Sequence, residues 1–155
     1  MLTTGAPPHD QWVEEIDSVV SRVFQVMLLR RCSVTETSTA DAPDITATVR
    51  LSGGIEAQCI VEFPFLTAEK LTDAFLGSEE DNCWDDAMIE DAVGELCNMV
   101  AGGWKSKLGA LNSECLLSTP IVSRTTTRWP NTRDSTMRRT YAFDGSVFHV
   151  RLILK

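Results

Sequence analysis

Two alternating runs on either side of Ser52-Gly53-Gly54 constrain this 155-residue chain more than any other feature. Before the glycines, Ile45, Ala47, Val49 and Leu51 share one face of an extended segment, and Thr46, Thr48 and Arg50 share the other. After them, Ile55, Ala57, Cys59, Val61 and Phe63 alternate with Glu56, Gln58 and Glu62. Successive strand residues point to opposite faces, so each run owns one apolar face. Glycine tolerates positive φ, and a Gly-Gly corner between two period-2 runs predicts a β-hairpin over 45–63. Pro64 ends the second strand. A lone hairpin is marginal in water, so its apolar face must be covered.

Helices are available to cover it. In residues 11–31, Trp12, Ile16, Val19, Val20, Val23, Val26 and Met27 recur at three- and four-residue steps and predict an amphipathic helix. Thr67 is the expected N-cap of a short helix to about Leu76, which Gly77 terminates. The acidic stretch GSEEDNCWDD reads as a solvated loop whose last acids favour the N-terminus of a following helix. That helix runs from about Asp85 to Leu108.

The remaining segments are strand-like. Residues 32–39 alternate weakly, and Ala40 to Asp44 turn around Pro43. Cys115 to Arg124 contains Pro120, so an edge or bulged strand is expected. Residues 125–136 read as a loop or strand ends. Met137–Phe143 and Val147–Leu154 flank Asp144-Gly145, a favoured two-residue turn, and predict a second hairpin. The order is helix, about three strands, two helices, about three strands. It predicts an α+β fold with helices packed on a mostly antiparallel sheet, pseudo-duplicated as helix/three-strand halves without a convincing sequence repeat. The chain reads as one domain with a flexible start over 1–10.

Composition narrows the function classes. At 43% hydrophobic and 23% charged residues, the chain has the material for one ordinary core, and collagen, coiled-coil and wholly disordered readings are excluded. No apolar run approaches the roughly 20 residues that span a bilayer, and the first ten residues lack the pattern of a secretory signal, so the expected location is the cytoplasm. The cysteines at 32, 59, 83, 97 and 115 form no C-x-x-C clip, and the histidines His9 and His149 are far apart in sequence. Reduced thiols and no metal or other cofactor of the protein's own are expected. The net charge of −8 divides into −14 over residues 1–100 and +6 over 101–155. The acidic total argues against general nucleic-acid binding, and the halves are expected to compensate each other in the fold.

The segment DDAMIEDAVGELCNMVAGGWKSKLGA carries the chemistry. Wound at about 100° per residue, it places Asp91, Glu95, Asn98, Gly102 and Lys105 within a sector of roughly 80°, opposite Ile89, Val93, Leu96, Val100, Trp104 and Leu108. Glu95 and Asn98 are one turn apart and therefore neighbours. Gly94, Gly102 and Gly103 each cost about 1 kcal/mol against alanine inside a helix, which points to close approach at its surface. A merely solvated face, with glycines that let another helix pack closely, remains open at this point.

The stretch GELCNMVAGGWKSKL resembles the signature helix of the CheC/CheX/FliY chemotaxis phosphatases, where E-x-x-N is followed by small residues. Here the matching residues are Glu95-Leu96-Cys97-Asn98, with Gly102-Gly103 behind them. The element order extends the resemblance over nearly the whole chain. The first helix offers only Glu15-x-x-Ser18, and serine lacks a carboxamide, so one site is expected, as in the CheX branch. The resemblance implies a CheC-like fold, a homodimer, and a phosphatase acting on the phospho-aspartate of a CheY-type response regulator. It assigns Asn98 to positioning the attacking water and Glu95 to an ion pair with a lysine of the receiver domain, with Mg²⁺ supplied by that partner. Gly102 would admit the partner's loops, and from the face geometry Asp91 and Lys105 would add rim contacts.

Two rival readings stand beside it. One is a non-catalytic module of the same fold that binds a response regulator or dimerises. The other is a nucleic-acid surface built from Arg124, Arg128, Arg133, Arg138 and Arg139 around Trp129. An exposed sheet edge, that of the final hairpin, is the expected dimer contact.

Overall fold

A computed structural model describes residues 9–36, 43–77, 84–109, 114–124 and 136–154. Helix α1 (His9–Val23) leads into a π-helical turn (Phe24–Leu28) and a two-residue strand β1 (Ser33–Val34). Strands β2 (Ile45–Ser52) and β3 (Ala57–Phe63) follow, then helices α2 (Phe65–Leu76) and α3 (Asp86–Ser106). Short strands β4 (Leu116–Leu117) and β5 (Ile121–Ser123) precede the hairpin β6 (Thr136–Phe143) and β7 (Ser146–Leu154). The seven strands form one sheet in the order β1-β6-β7-β3-β2-β4, with β5 also on β2, and every pairing is antiparallel. This is the α+β architecture expected.

Both predicted hairpins form in register. Val49 stands opposite Cys59 and Thr48 opposite Ile60 in the first, and Tyr141 opposite Phe148 in the second. Asp144 (φ 47°) and Gly145 (φ 76°) make the second turn. Gly53 has φ 102°, and a Cβ there would stand 2.0 Å from the Glu114 carbonyl oxygen, so only glycine fits. The halves interlock. The first half's outer strand β1 pairs with β6 of the second, while β4 and β5 of the second pair with β2 of the first.

Ile45, Ala47, Val49, Leu51, Cys59, Val61 and Phe63 meet the buried stripes of α1 and α3 in one core. At one end Phe148 stacks on Phe63, with centroids 4.7 Å apart, and on Phe24 at 5.4 Å. Cys32, Cys59, Cys97 and Cys115 are free and buried, whereas Cys83 lies outside the described residues. Burial pushes the Cys32 thiol up to about 12.

Several local expectations change. The first helix does not continue regularly to residue 31: it widens into the π-turn and stops where Leu29 enters the left-handed region (φ 55°) and donates to the Phe24 carbonyl. Thr67 does not cap α2, because it is already inside the helix and buried. The helix begins at Phe65, whose N–H donates to Asp44 Oδ2 at 2.8 Å, so the cap comes from the segment before β2. Gly77, with φ 84°, ends α2 as expected. The weak strand after the first helix is only two residues long, and residues 37–39 lie outside the described residues. Ser118 Oγ accepts from the Arg50 N–H at 2.8 Å where Pro120 interrupts the edge between β4 and β5. The loop expected over 125–136 is outside the described residues up to 135, and Thr136 already belongs to β6.

Candidate functional site

Helix α3 is held in one rotational setting. Asp85 caps its N-terminus, accepting from the Met88 N–H at 2.9 Å. Ile89, Val93, Leu96, Val100 and Trp104 are fully buried. The Cys97 thiol lies 3.4 Å from the carbonyl oxygens of both Ala47 and Cys59, tying α3 to β2 and β3 one residue before Asn98. The hydrogen bond to Cys97, and then burial, push the Cys59 thiol well above its ordinary range, which keeps it in the neutral form.

The glycines settle two of the close approaches. A Cβ on Gly103 would stand 2.6 Å from Val19 Cγ1, so this glycine seats α3 against α1. A Cβ on Gly94 would meet Val122 Cγ2 at 3.2 Å, so this one admits β5. The helix therefore uses those two glycines for its own chain. Gly102 differs: its nearest neighbour would be Leu117 Cδ1 at 4.0 Å, and it stays partly open.

What remains is a ridge between two packed flanks. Asp91 and Glu95 are exposed, while Asn98, Gly102 and Lys105 are half-buried along the same line. All five residues singled out in the sequence thus lie together. Among the described residues Glu95 and Asn98 have no hydrogen-bond or ion-pair partner, so carboxylate and carboxamide are presented outward from a fixed helix. A carboxamide donates and accepts at once, which is what orienting a water molecule requires. An adjacent carboxylate attracts a cation of whatever docks there. On α1, Glu15 is half-buried and Ser18 exposed, and Ser18 lines a second groove with Arg22, Ser106 and Lys107.

The three described arginines of the nucleic-acid alternative, Arg124, Arg138 and Arg139, stand beside acids. Arg139 makes a two-pronged contact with Asp17 on α1, at 2.6 and 3.1 Å, and Tyr141 donates to the same carboxylate at 2.7 Å. Arg124 pairs with Asp86 at 2.9 Å and lies over the Phe65 ring. Arg138 stands 4.0 Å from buried Glu62. Arg128, Trp129 and Arg133 lie outside the described residues. Among the described residues no three His, Cys, Asp or Glu side chains gather as metal ligands, and no helix is long and apolar enough to cross a membrane.

The sequence profile of the family described as chemotaxis phosphatase CheX matches residues 45–136, more than half the chain and the whole of α3. The chain belongs to the CheX family. The "CheY-P phosphatase CheX" of Thermotoga maritima is 35% identical over 78 residues. That match covers 50% of each chain, so the chain spans about half the length of the curated relative it matches. A crystal structure of CheX from Desulfovibrio desulfuricans superposes with TM-score 0.73 at 20% identity, covering 94% of this chain and 99% of that one. CheX in a CheX–CheY–BeF₃–Mg²⁺ complex from Borrelia burgdorferi superposes with TM-score 0.66 at 19% identity, covering 93% and 97%. At these identities the superpositions establish the fold, and a CheC-like superfamily protein among the neighbours agrees with the CheC-like architecture expected.

The structure also shows what the sequence reading missed. An open groove of about 670 Å³ runs beside the ridge between α2, α3 and β5. Its apolar residues come from three separated segments. The one signal in the sequence was Met88, an apolar residue off the buried stripe of α3.

Proposed function

We propose that this CheX-family protein dephosphorylates the phospho-aspartate of a CheY-type response regulator. The observation that carries the reading is the outward-facing pair Glu95 and Asn98, unpartnered within the described chain and one turn apart on a helix locked by its core and by Cys97. The name of the Thermotoga relative and the partner in the Borrelia complex support the choice of substrate.

In this mechanism the ridge of α3 enters the receiver's active site. The Asn98 carboxamide holds a water molecule in line with phosphorus. The water oxygen forms the new P–O bond while the bond from phosphorus to the aspartyl oxygen breaks. The aspartate leaves as carboxylate and the water's proton passes to the phosphate or solvent. Catalysis is positional: attack geometry is prepared in advance, and no covalent intermediate on this chain is needed. The receiver brings its own Mg²⁺ with the acyl phosphate. Glu95 pairs with the receiver's active-site lysine and sets the docking register. Gly102 leaves room for the receiver's loops, and Asp91 and Lys105 contact its rim.

A cytoplasmic homodimer belongs to the same reading. In the final hairpin β7 is interior, flanked by β6 and β3, so the expected hairpin edge narrows to β6. There β1 covers only Tyr141 and Ala142, which leaves the Thr136–Arg139 stretch of the edge without a strand among the described residues. Light scattering reads the mass, and a monomer overturns the dimer.

The deciding experiment follows decay of a phosphorylated receiver domain from the same organism with wild type and with Asn98→Ala. Wild type accelerates decay and the variant does not. Binding to the phosphorylated receiver without acceleration by wild type would establish the non-catalytic module instead.

A further inference from the structure

The groove beside the ridge accounts for none of the proposed chemistry, yet it is continuous with it. Phe75 and Leu76 of α2, Met88 of α3, and Pro120 and Val122 at β5 supply apolar walls. Leu76 is 54% exposed and Met88 42%, so both present large apolar surface to solvent. Glu90, Asp91 and Glu95 line the same groove from α3. None of these three acids has an ion-pair partner among the described residues, although Asp86, one turn earlier, is neutralised by Arg124. An apolar trough bordered by unneutralised carboxylates is matched by a segment that is apolar on one side and carries lysine or arginine along the other.

Position limits what that segment is. Glu95 and Asp91 belong to both the ridge and the groove, so a molecule that places a phosphoryl group against Asn98 lies across the groove as well. We propose that this groove is the selectivity surface of the protein: it seats a basic, apolar-faced segment of the phosphorylated receiver next to its active site. Resting on the phosphatase reading, the proposal divides the labour. The ridge acts on the phosphoryl group that every receiver shares, and the groove reads surface residues in which receivers differ. Charge along the trough steers encounter, and the apolar walls retain the docked partner.

The test measures binding separately from turnover. The probe is a CheY-type receiver domain from the same organism, held in its active form by beryllium fluoride and Mg²⁺ and titrated against the full chain. Met88→Asp and Glu90→Lys each weaken Kd by about tenfold or more. Met27→Asp, at a methionine 56% exposed in the groove on the far side of α3, leaves Kd within about twofold, the scatter expected of a surface change away from the contact. Thermal melts confirm that all three variants fold. With the phosphorylated receiver, Met88→Asp raises KM and leaves kcat near wild type, whereas Asn98→Ala lowers kcat. Unchanged Kd in both groove variants, or no binding of the activated receiver by wild type, overturns the proposal. Groove-dependent binding without accelerated decay upholds the docking surface and removes the phosphatase reading alone.

Discussion

Gly103 on α3 and Val19 on α1 are in such close contact that a β-carbon on the glycine would stand 2.6 Å from Val19 Cγ1. The two helices that roof the sheet are thereby set at a distance only a bare backbone permits. Gly103→Ala is expected to destabilise the protein by roughly 1–3 kcal/mol through overpacking. Val19→Ala in the same chain restores part of that loss, since it removes the atom in the way. A double-mutant cycle by chemical denaturation reads the coupling, and simple additivity would refute the contact. Gly102→Ala, one residue earlier, behaves oppositely. It meets nothing closer than 4.0 Å, so the protein gains up to about 1 kcal/mol of helix propensity while receiver dephosphorylation slows.

Asn98→Gln retains the amide and displaces it by one methylene. On a positional mechanism this costs nearly as much turnover as alanine does, on the order of a hundredfold, because a misplacement of about 1 Å spoils in-line attack. Stability is unchanged, because Asn98 has no partner within the described chain. Glu95→Gln raises KM more than it lowers kcat, with weaker dependence on salt than wild type. Steady-state kinetics at two ionic strengths separates these outcomes.

Asp17 accepts from both Arg139 and Tyr141, pinning α1 to β6. Asp17→Ala leaves the guanidinium and the largely buried phenol without that acceptor. A loss of about 2–4 kcal/mol follows, and the paired change Tyr141→Phe in that background recovers some of it. Equal stability of the single and wild-type proteins in urea would show the network to be idle.

His149 is buried on β7 with Thr140 Oγ1 2.8 Å from its Nδ1, and it stands opposite Glu62 in the sheet register. Burial, then the Arg138 charge, lower its pKa to about 4. The unfolded chain therefore binds this proton more readily than the native one. Stability attributable to neutral His149 is full above about pH 6.5 and is lost as pH falls through about 4. His149→Gln flattens that part of the stability profile, by on the order of 2 kcal/mol. Denaturation midpoints between pH 7 and pH 4 test the slope.

Where neighbouring residues set the outcome, the sequence was legible. Alternation around Gly53-Gly54 and Asp144-Gly145 specified both hairpins, because strand period and turn chemistry are local. Helical winding alone gathered Asp91, Glu95, Asn98, Gly102 and Lys105 on one ridge. Long-range contacts escaped. Thr67 has the right chemistry for a cap, yet Asp44 supplies it from 21 residues away. The π-turn at Phe24–Leu28 widens a helix whose apolar spacing appears continuous, and it leaves Val26 and Met27 largely exposed despite their place in the apolar stripe. The groove joins residues 75–76, 88–95 and 120–122, which become neighbours only after the sheet has assembled.

The exchange of outer strands makes each half the other's missing partner. A chain cut between α2 and α3 yields one piece whose β2 has lost β4 and β5, and another whose β6 has lost β1. Between them the seam of β3 and β7 opens as well, baring six matched pairs from Ala57–Leu154 to Glu62–His149. Neither piece can close its own edges, but each carries the complement of the other's. Such a pair is expected to assemble on mixing, and the ridge of α3, seated against α1 of the other piece through Gly103 and Val19, would then report whether two polypeptides have met.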